Sequence, residues 1–394
     1  MDSAYLIECG TLLLRWLHLV VGIAWIGSSF YFVWLDNHLR VPTDPDLKEK
    51  GVTGEIWAVH GGGFYNPQKY AVAPKKLPDE LHWFKWESYS TWMTGFFLVG
   101  TLYYSQAATY MVDPAVSSLT PGQAVLVGLA TLVGGWLFYD GLCRLFIKRS
   151  QLVFGVIYFA FVVGVAYVLT HLLSGRAAYL HVGAMIATTM SANVFFWIIP
   201  GQKKVVAALA RGETPDPVHG QRGKQRSVHN NYLTLPVLFC MISNHYAFTY
   251  TNAHAWLVLA LIFFAAVLIR HFFNLRHKGV FRWQLPAAAL VVLLGTFAWI
   301  APAQSKVATG QAPTLAEIQP IIAQRCAVCH SEKPSLMPSA PAGVLLDTPE
   351  RIHALAPRIV LQAVQLKAMP LGNATHMTDA ERAKIAAWAL AGAR

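Results

Sequence analysis

The stretch Leu152–His171, LVFGVIYFAFVVGVAYVLTH, carries no Asp, Glu, Lys or Arg over twenty positions and is broken only by Gly155 and Gly164. Twenty apolar residues in a helix cover the roughly 30 Å hydrocarbon core of a bilayer. Only a helix or a closed barrel satisfies its own backbone polar groups there. The stretch is therefore read as a membrane span. Seven further segments read the same way, giving eight at about 9–35, 88–109, 122–147, 150–173, 179–200, 229–249, 254–274 and 284–303. Composition agrees, since 55% of the 394 residues are apolar and only 13% are charged. The net charge of +11 does not indicate nucleic acid, because the Lys and Arg are scattered between apolar runs instead of forming a basic stripe.

Those charges report orientation. Nineteen Lys and Arg, from Arg40 in the first long loop to Arg282 before the last span, fall on one set of alternate loops, and Arg176 alone falls on the other. The count includes Lys75, Lys76, Lys148 and Arg226. Positive charge marks the cytoplasmic side. An even number of spans then puts both termini outside, in a bacterial periplasm. The start, MDSAYLIECG, has no positive n-region and reads as a retained first span.

Beyond span eight the composition changes. Residues 1–303 form the membrane domain, 304–313 a polar linker and 314–394 a small soluble tail. Leu315, Ile318, Ile321 and Ile322 recur at helical spacing, and Thr378 with Glu381 forms a capping box ahead of a second helix. Roughly 85 residues with two amphipathic helices bury little apolar surface, so a large apolar cofactor would complete the core.

The tail carries CAVCH at 326–330. Two thiols three positions apart reach both vinyl groups of one porphyrin, and the next imidazole points at the iron. Cys326, Cys329 and His330 are therefore expected to hold one covalent haem c. Met369 or Met377 offers the second axial ligand. The Met369-Pro370 pair, about forty residues on, favours Met369, and a thioether raises the potential toward that of an electron acceptor. A disulfide or a CxxC redox pair needs neither His330 nor the Met-Pro pair, and zinc would want two more ligands, for which the tail offers His353 and His376 at no recognisable spacing. Cys9, Cys143 and Cys240 are isolated in apolar surroundings and read as packing residues.

Polar side chains inside spans are costly and so are functional candidates. His171, His181, His245 and His254 fall near one membrane face, His229 and His271 near the other, and His18 lies deeper. The first long loop, 36–87, holds WAVHGGGFY around His60 and LHWFKWESY with His82, Trp83, Trp86 and Glu87. An interfacial aromatic belt accounts for the tryptophans but not for Gly61–Gly63. His229, Asn230, Asn231 and Tyr232 enter span six, and Ser243, Asn244 and His245 leave it. Amides at this density suit a small heterocycle, with helix–helix hydrogen bonding as the alternative.

WAVHGGGFY, WFKWESYSTWMTGF and HNNYLTLPVLFCMISNHY, with CAVCH and MPLGNATHMTDAER in the tail, resemble the bacterial membrane-bound urate oxidases (urate hydroxylases). The resemblance covers essentially the whole chain. It implies an all-α polytopic bundle of about eight transmembrane helices in the bacterial inner membrane, followed by a class I-like cytochrome c. It also implies oxidation of urate to 5-hydroxyisourate, with electrons passing through haem c to an acceptor of the respiratory chain and no hydrogen peroxide formed. Urate is a planar anion, which a net-positive protein with amides and aromatics suits. Glu87, flanked by Trp83, Trp86 and Tyr89, is the candidate base, with His60 and His229 as further catalytic candidates. Trp83, Trp86, Asn230, Asn231, Tyr232 and Asn244 are candidates for binding urate.

A cytoplasmic urate site would lie a full hydrocarbon thickness, roughly 30 Å, from a periplasmic haem. Either urate binds near Asn244 and His245, or a second redox centre bridges the gap. Span one, WLHLVVGIAWIGSSFYF, is similar to first spans of copper-resistance membrane proteins and of a haem-binding protoporphyrinogen oxidase. His18 is thus the first candidate ligand for a haem b, followed by His245 and His171. The competing readings are an electron-relay cytochrome subunit for a partner dehydrogenase and a porphyrin-handling membrane protein.

Overall fold

The computed structural model describes residues 3–74, 77–146, 149–301, 312–337 and 339–393. Lys75, Lys76 and Lys148, and the linker up to Gln311, lie outside the described residues. The bundle opens with α1 (Ser3–His38), followed by the short α2 (Pro45–Glu49) and then α3 (Trp86–Val99), which widens into a π-turn at Gly100–Tyr104. After α4 (Ala107–Tyr110) come α5 (Pro121–Phe146), α6 (Gln151–Thr170) and α7 (Gly175–Ala192), the last running through a second π-turn into α8 (Ile199–Ala210). Then follow α9 (Pro217–Ile242), α10 (Ala247–Tyr250), α11 (Ala255–His277) and α12 (Gln284–Trp299).

Five stretches among the described residues are long and apolar enough to cross a bilayer: Tyr5–His38, Pro121–Phe146, Gln151–Thr170, Gly175–Ala210 and Ala255–His277. The other three expected spans are also helices but fall short of that measure. α3 has 14 residues and α12 has 16, while the 26 residues of α9 are interrupted by polar and charged side chains. Leu12, Leu13, Trp16 and Ile23 of α1 and Leu152 and Val156 of α6 are exposed. In water such a surface would drive association, whereas hydrocarbon covers it at no cost.

The bundle's core gathers around α7, where Tyr179, Val182, Met185 and Ile186 are buried. A Cβ on Gly183 would come within 2.3 Å of Cβ of Cys240 on α9, and one on Gly128 within 2.5 Å of Nε2 of His181. Missing side chains at these crossings let α5, α7 and α9 approach closely, a packing mode that membrane helices favour. Cys240 is buried, as expected of a packing residue, whereas the buried Cys143 is not isolated among apolar groups: its Sγ lies 3.8 Å from His229 Nδ1.

The segment 36–87 departs from the all-α expectation. It forms two antiparallel pairs, β1 (Val52–Glu55) with β4 (Gln68–Tyr70), and β2 (Ala58–His60) with β3 (Gly63–Tyr65). Gly61 and Gly62 have φ of +58° and +82° and form the two-residue turn between β2 and β3. Only glycine takes such a turn without strain, which accounts for these residues without a ligand.

The tail has its own helices, α13 (Leu315–Ile322), α14 (Pro349–Ala354), α15 (Ala356–Ile359) and α16 (Asp379–Leu390). Ile318, Ile322, Ile352, Ile385 and Trp388 are buried in its core. The expected capping box at Thr378 and Glu381 is formed, and a second sits at Thr314 and Glu317.

The tail meets the bundle at one end. Gly372, at φ +55°, would with a Cβ lie 3.0 Å from the carbonyl oxygen of Thr109 and 2.9 Å from that of Val112. Burial pushes the neighbouring Asp113 carboxyl up, while Arg382 and His376 of the tail act in the opposite direction. Ser174, ahead of α7, joins this end by donating its amide to Met111 O and its hydroxyl to Tyr110 O, both at 2.8 Å. Most of the counted basic residues lie at the opposite end. Arg226 is a correction to that count: it is buried, at 2% exposure, inside the bundle.

Candidate functional site

Three polar centres result. In the tail, Cys326 is buried and Cys329 half-buried, and both thiols are free. Cys329 N and His330 N donate to Cys326 O at 3.0 and 2.9 Å, which puts both thiols and the imidazole on one tight turn. Burial pushes the Cys326 thiol up to about 12 and raises that of Cys329. His330 Nδ1 lies 3.1 Å from Val344 O. A proton on Nδ1 would hold the ring there and leave the Nε2 lone pair for a metal. This donor set fits a covalently attached haem. Met369 is half-buried and Met377 is buried in the tail core.

The second centre lies inside the bundle toward the end away from the tail. His229 Nδ1 is 2.8 Å from Tyr139 OH and its Nε2 is 3.0 Å from Gln151 Oε1, with Phe154 stacked on the ring at 4.1 Å. Asn193 donates to Tyr139 OH at 3.0 Å and to Asn230 Oδ1 at 2.9 Å. Beside them Arg226 pairs with Asp140 at 2.6 Å and covers the Trp197 ring at 4.3 Å, and Arg144 joins Asp140 at 2.8 Å. Asn231 and Tyr232 leave α9 on another side. Asn231 bonds Asn274 at 2.9 Å and accepts from Arg270, and Tyr232 OH is 2.7 Å from His271 Nδ1. The polar run at 229–232 is thus split between two sides, with α5, α6 and α7 on one and α11 on the other.

The third centre is at the tail-proximal end. Tyr103 OH donates to Asn244 Oδ1 at 3.0 Å, and Arg176 Nε donates to Tyr103 OH at 3.1 Å and to Asn244 Oδ1 at 3.2 Å. The Arg176 guanidinium also lies 5.5 Å from the Tyr110 ring.

The remaining candidates stand apart. His60 is exposed on the hairpin, Trp86 is exposed, and Glu87 occupies the first turn of α3. Trp83 lines a cleft of about 480 Å³ with His82, Gln202, His219 and Lys224 at the end away from the tail. His18 Nδ1 is 2.9 Å from Thr94 Oγ1, against Gly95. His171 bonds back to Tyr167 O at 2.7 Å, and His245 is exposed. No contact among the described residues joins His18 to either.

Sequence reading missed Tyr139, Asp140, Asn193 and Arg270. Asp140 was the available signal, being a carboxylate within an apolar run.

A family model described as Urate oxidase N-terminal matches residues 4–301. The chain belongs to the urate oxidase N-terminal family. No curated protein and no solved structure matches the chain. The family segment ends at residue 301, so both polar centres of the bundle lie inside the urate oxidase region and CAVCH lies beyond it. Membership makes this a urate-oxidase-related protein, and its long apolar helices are compatible with a bilayer.

Proposed function

We propose that the chain is a membrane-bound, cytochrome-linked urate oxidase. Urate monoanion and water give 5-hydroxyisourate, one proton and two electrons, with water supplying the hydroxyl oxygen. A haem c held by Cys326, Cys329 and His330, with Met369 as second ligand, would accept those electrons singly and pass them to a respiratory acceptor. No hydrogen peroxide forms. The observation that carries the reading is the joining, in one chain, of a urate oxidase segment to a haem-attachment turn whose histidine has its outer nitrogen free.

The chain's own residues provide the rest. Buried amides and tyrosines orient side chains in the bundle, and His229 is held at both ring nitrogens, by Tyr139 OH and Gln151 Oε1. His18, bonded through Nδ1, would offer Nε2 to a second haem within the bundle. The charge asymmetry and the docking of the tail at the end opposite most of the basic loops support an inner-membrane protein with a periplasmic tail.

The test is anaerobic. Under argon, urate added to purified full-length protein should lose its ultraviolet band while the haem α-band of the ferrous state grows. Absence of haem reduction without a partner dehydrogenase would replace this reading with the relay cytochrome.

A further inference from the structure

We infer that Arg176 anchors the anionic substrate, and that urate binds at the tail-proximal end of the bundle among Arg176, Asn244, Tyr103 and Tyr110. The inference rests on the urate reading above and names the site where it happens.

The first support is an unanswered charge. Arg176 is the only Lys or Arg counted on its set of loops, is partly buried at the start of α7, and pairs with no carboxylate among the described residues. Its Nε is taken by Tyr103 OH and Asn244 Oδ1, which fixes the plane of the guanidinium. Among the described residues Nη1 and Nη2 have no hydrogen-bond partner, so both arms of the outer fork remain free to donate to a ligand. A planar fork of two N–H donors matches an anion with adjacent acceptors better than a point charge does. Asn244 Nδ2, also without a described partner, adds a donor at the same place. The Tyr103 and Tyr110 rings, 5.9 and 5.5 Å from the guanidinium and 5.6 Å from each other, pack around it and hold it in place.

The second support is position. Tyr110 belongs to the segment whose neighbours Thr109 and Val112 touch Gly372 of the tail. Three residues before Gly372 stands Met369. Electrons released beside Arg176 therefore start at the wall on which the tail rests. A substrate in the cleft lined by His219 and Lys224 would start at the other end of the bundle, roughly 30 Å of hydrocarbon away.

The experiment uses full-length holoprotein in detergent. Direct urate binding by calorimetry and KM and kcat for anaerobic haem reduction are measured for the wild type, R176Q, R176K, N244A and K224Q. Haem content and reduction by dithionite report folding. R176Q should weaken binding and raise KM by about tenfold or more, the loss expected of a charge-assisted bond. R176K should recover only part of this, because the charge returns without the fork, and N244A should raise KM by about threefold. K224Q should match the wild type. Unchanged urate affinity in R176K and N244A, or loss of affinity in K224Q instead, overturns the site while leaving the urate reading intact. A wild type that neither binds urate nor is reduced by it removes both.

Discussion

Asp140 and Arg226 show what single residues contribute. Both are buried, and the Coulomb attraction at 2.6 Å works against the cost of removing two charges from water. Asp140→Ala would leave a guanidinium alone in the bundle and should cost about 3–5 kcal/mol of stability, read as a large fall in the thermal midpoint in detergent. Arg144→Gln, which removes the exposed partner of the same carboxylate, should cost under about 1 kcal/mol. Arg226 was not legible as an interior residue, because it precedes the apolar run by one helical turn and sequence places it with the loop charges. His60 shows the converse. The glycines after it drew attention as a place of close approach, yet their backbone angles serve a hairpin turn.

At the scale of elements, the capping box at Thr378 and Glu381 was the most legible feature, whereas the one at Thr314 and Glu317 was not foreseen. Thr378 and Glu381 satisfy each other's backbone as the spacing predicts, with Thr378 N donating to Glu381 Oε2 at 2.6 Å. Thr378→Ala should lower tail stability by about 0.5–2 kcal/mol, seen as an earlier loss of the Soret signal on heating. At the first box, the Thr314 amide bonded to Glu317 holds that carboxyl below the usual carboxylate range. A group whose folded value is depressed stabilises above its unfolded value, about pH 4.3, and loses the contribution as pH falls through the folded one. Glu317→Gln should therefore leave the tail less sensitive to acid over that window, a difference that Soret melting between pH 6 and 2 would reveal. α9 was harder to read. Its apolar run begins twelve residues after the helix does, so sequence found the span and missed the helix start. The pattern at 229–232 gave the residues but not their division, since partners on α5, α7 and α11 come from distant parts of the chain.

For the whole molecule, the helical bundle could be anticipated from apolar runs, and the separate tail from the change in composition after them. The way the tail sits could not, because docking depends on a backbone contact between Gly372 and residues 109 and 112 that no local pattern encodes. A side chain at 372 would strain the backbone and collide with two carbonyl oxygens. Gly372→Ala should slow urate-driven haem reduction severalfold in stopped-flow measurements while leaving reduction by dithionite unchanged, because dithionite reaches the haem from solvent. Equal slowing by both reductants would place the defect in the tail itself.

α4 spans only Ala107–Tyr110, and it is bordered by the tail on one side and by Arg176 on the other. On the reading proposed above, this single helical turn stands like the gap in an electrical relay, and a change in its length would alter the pace of turnover and move Tyr110 together with the tail.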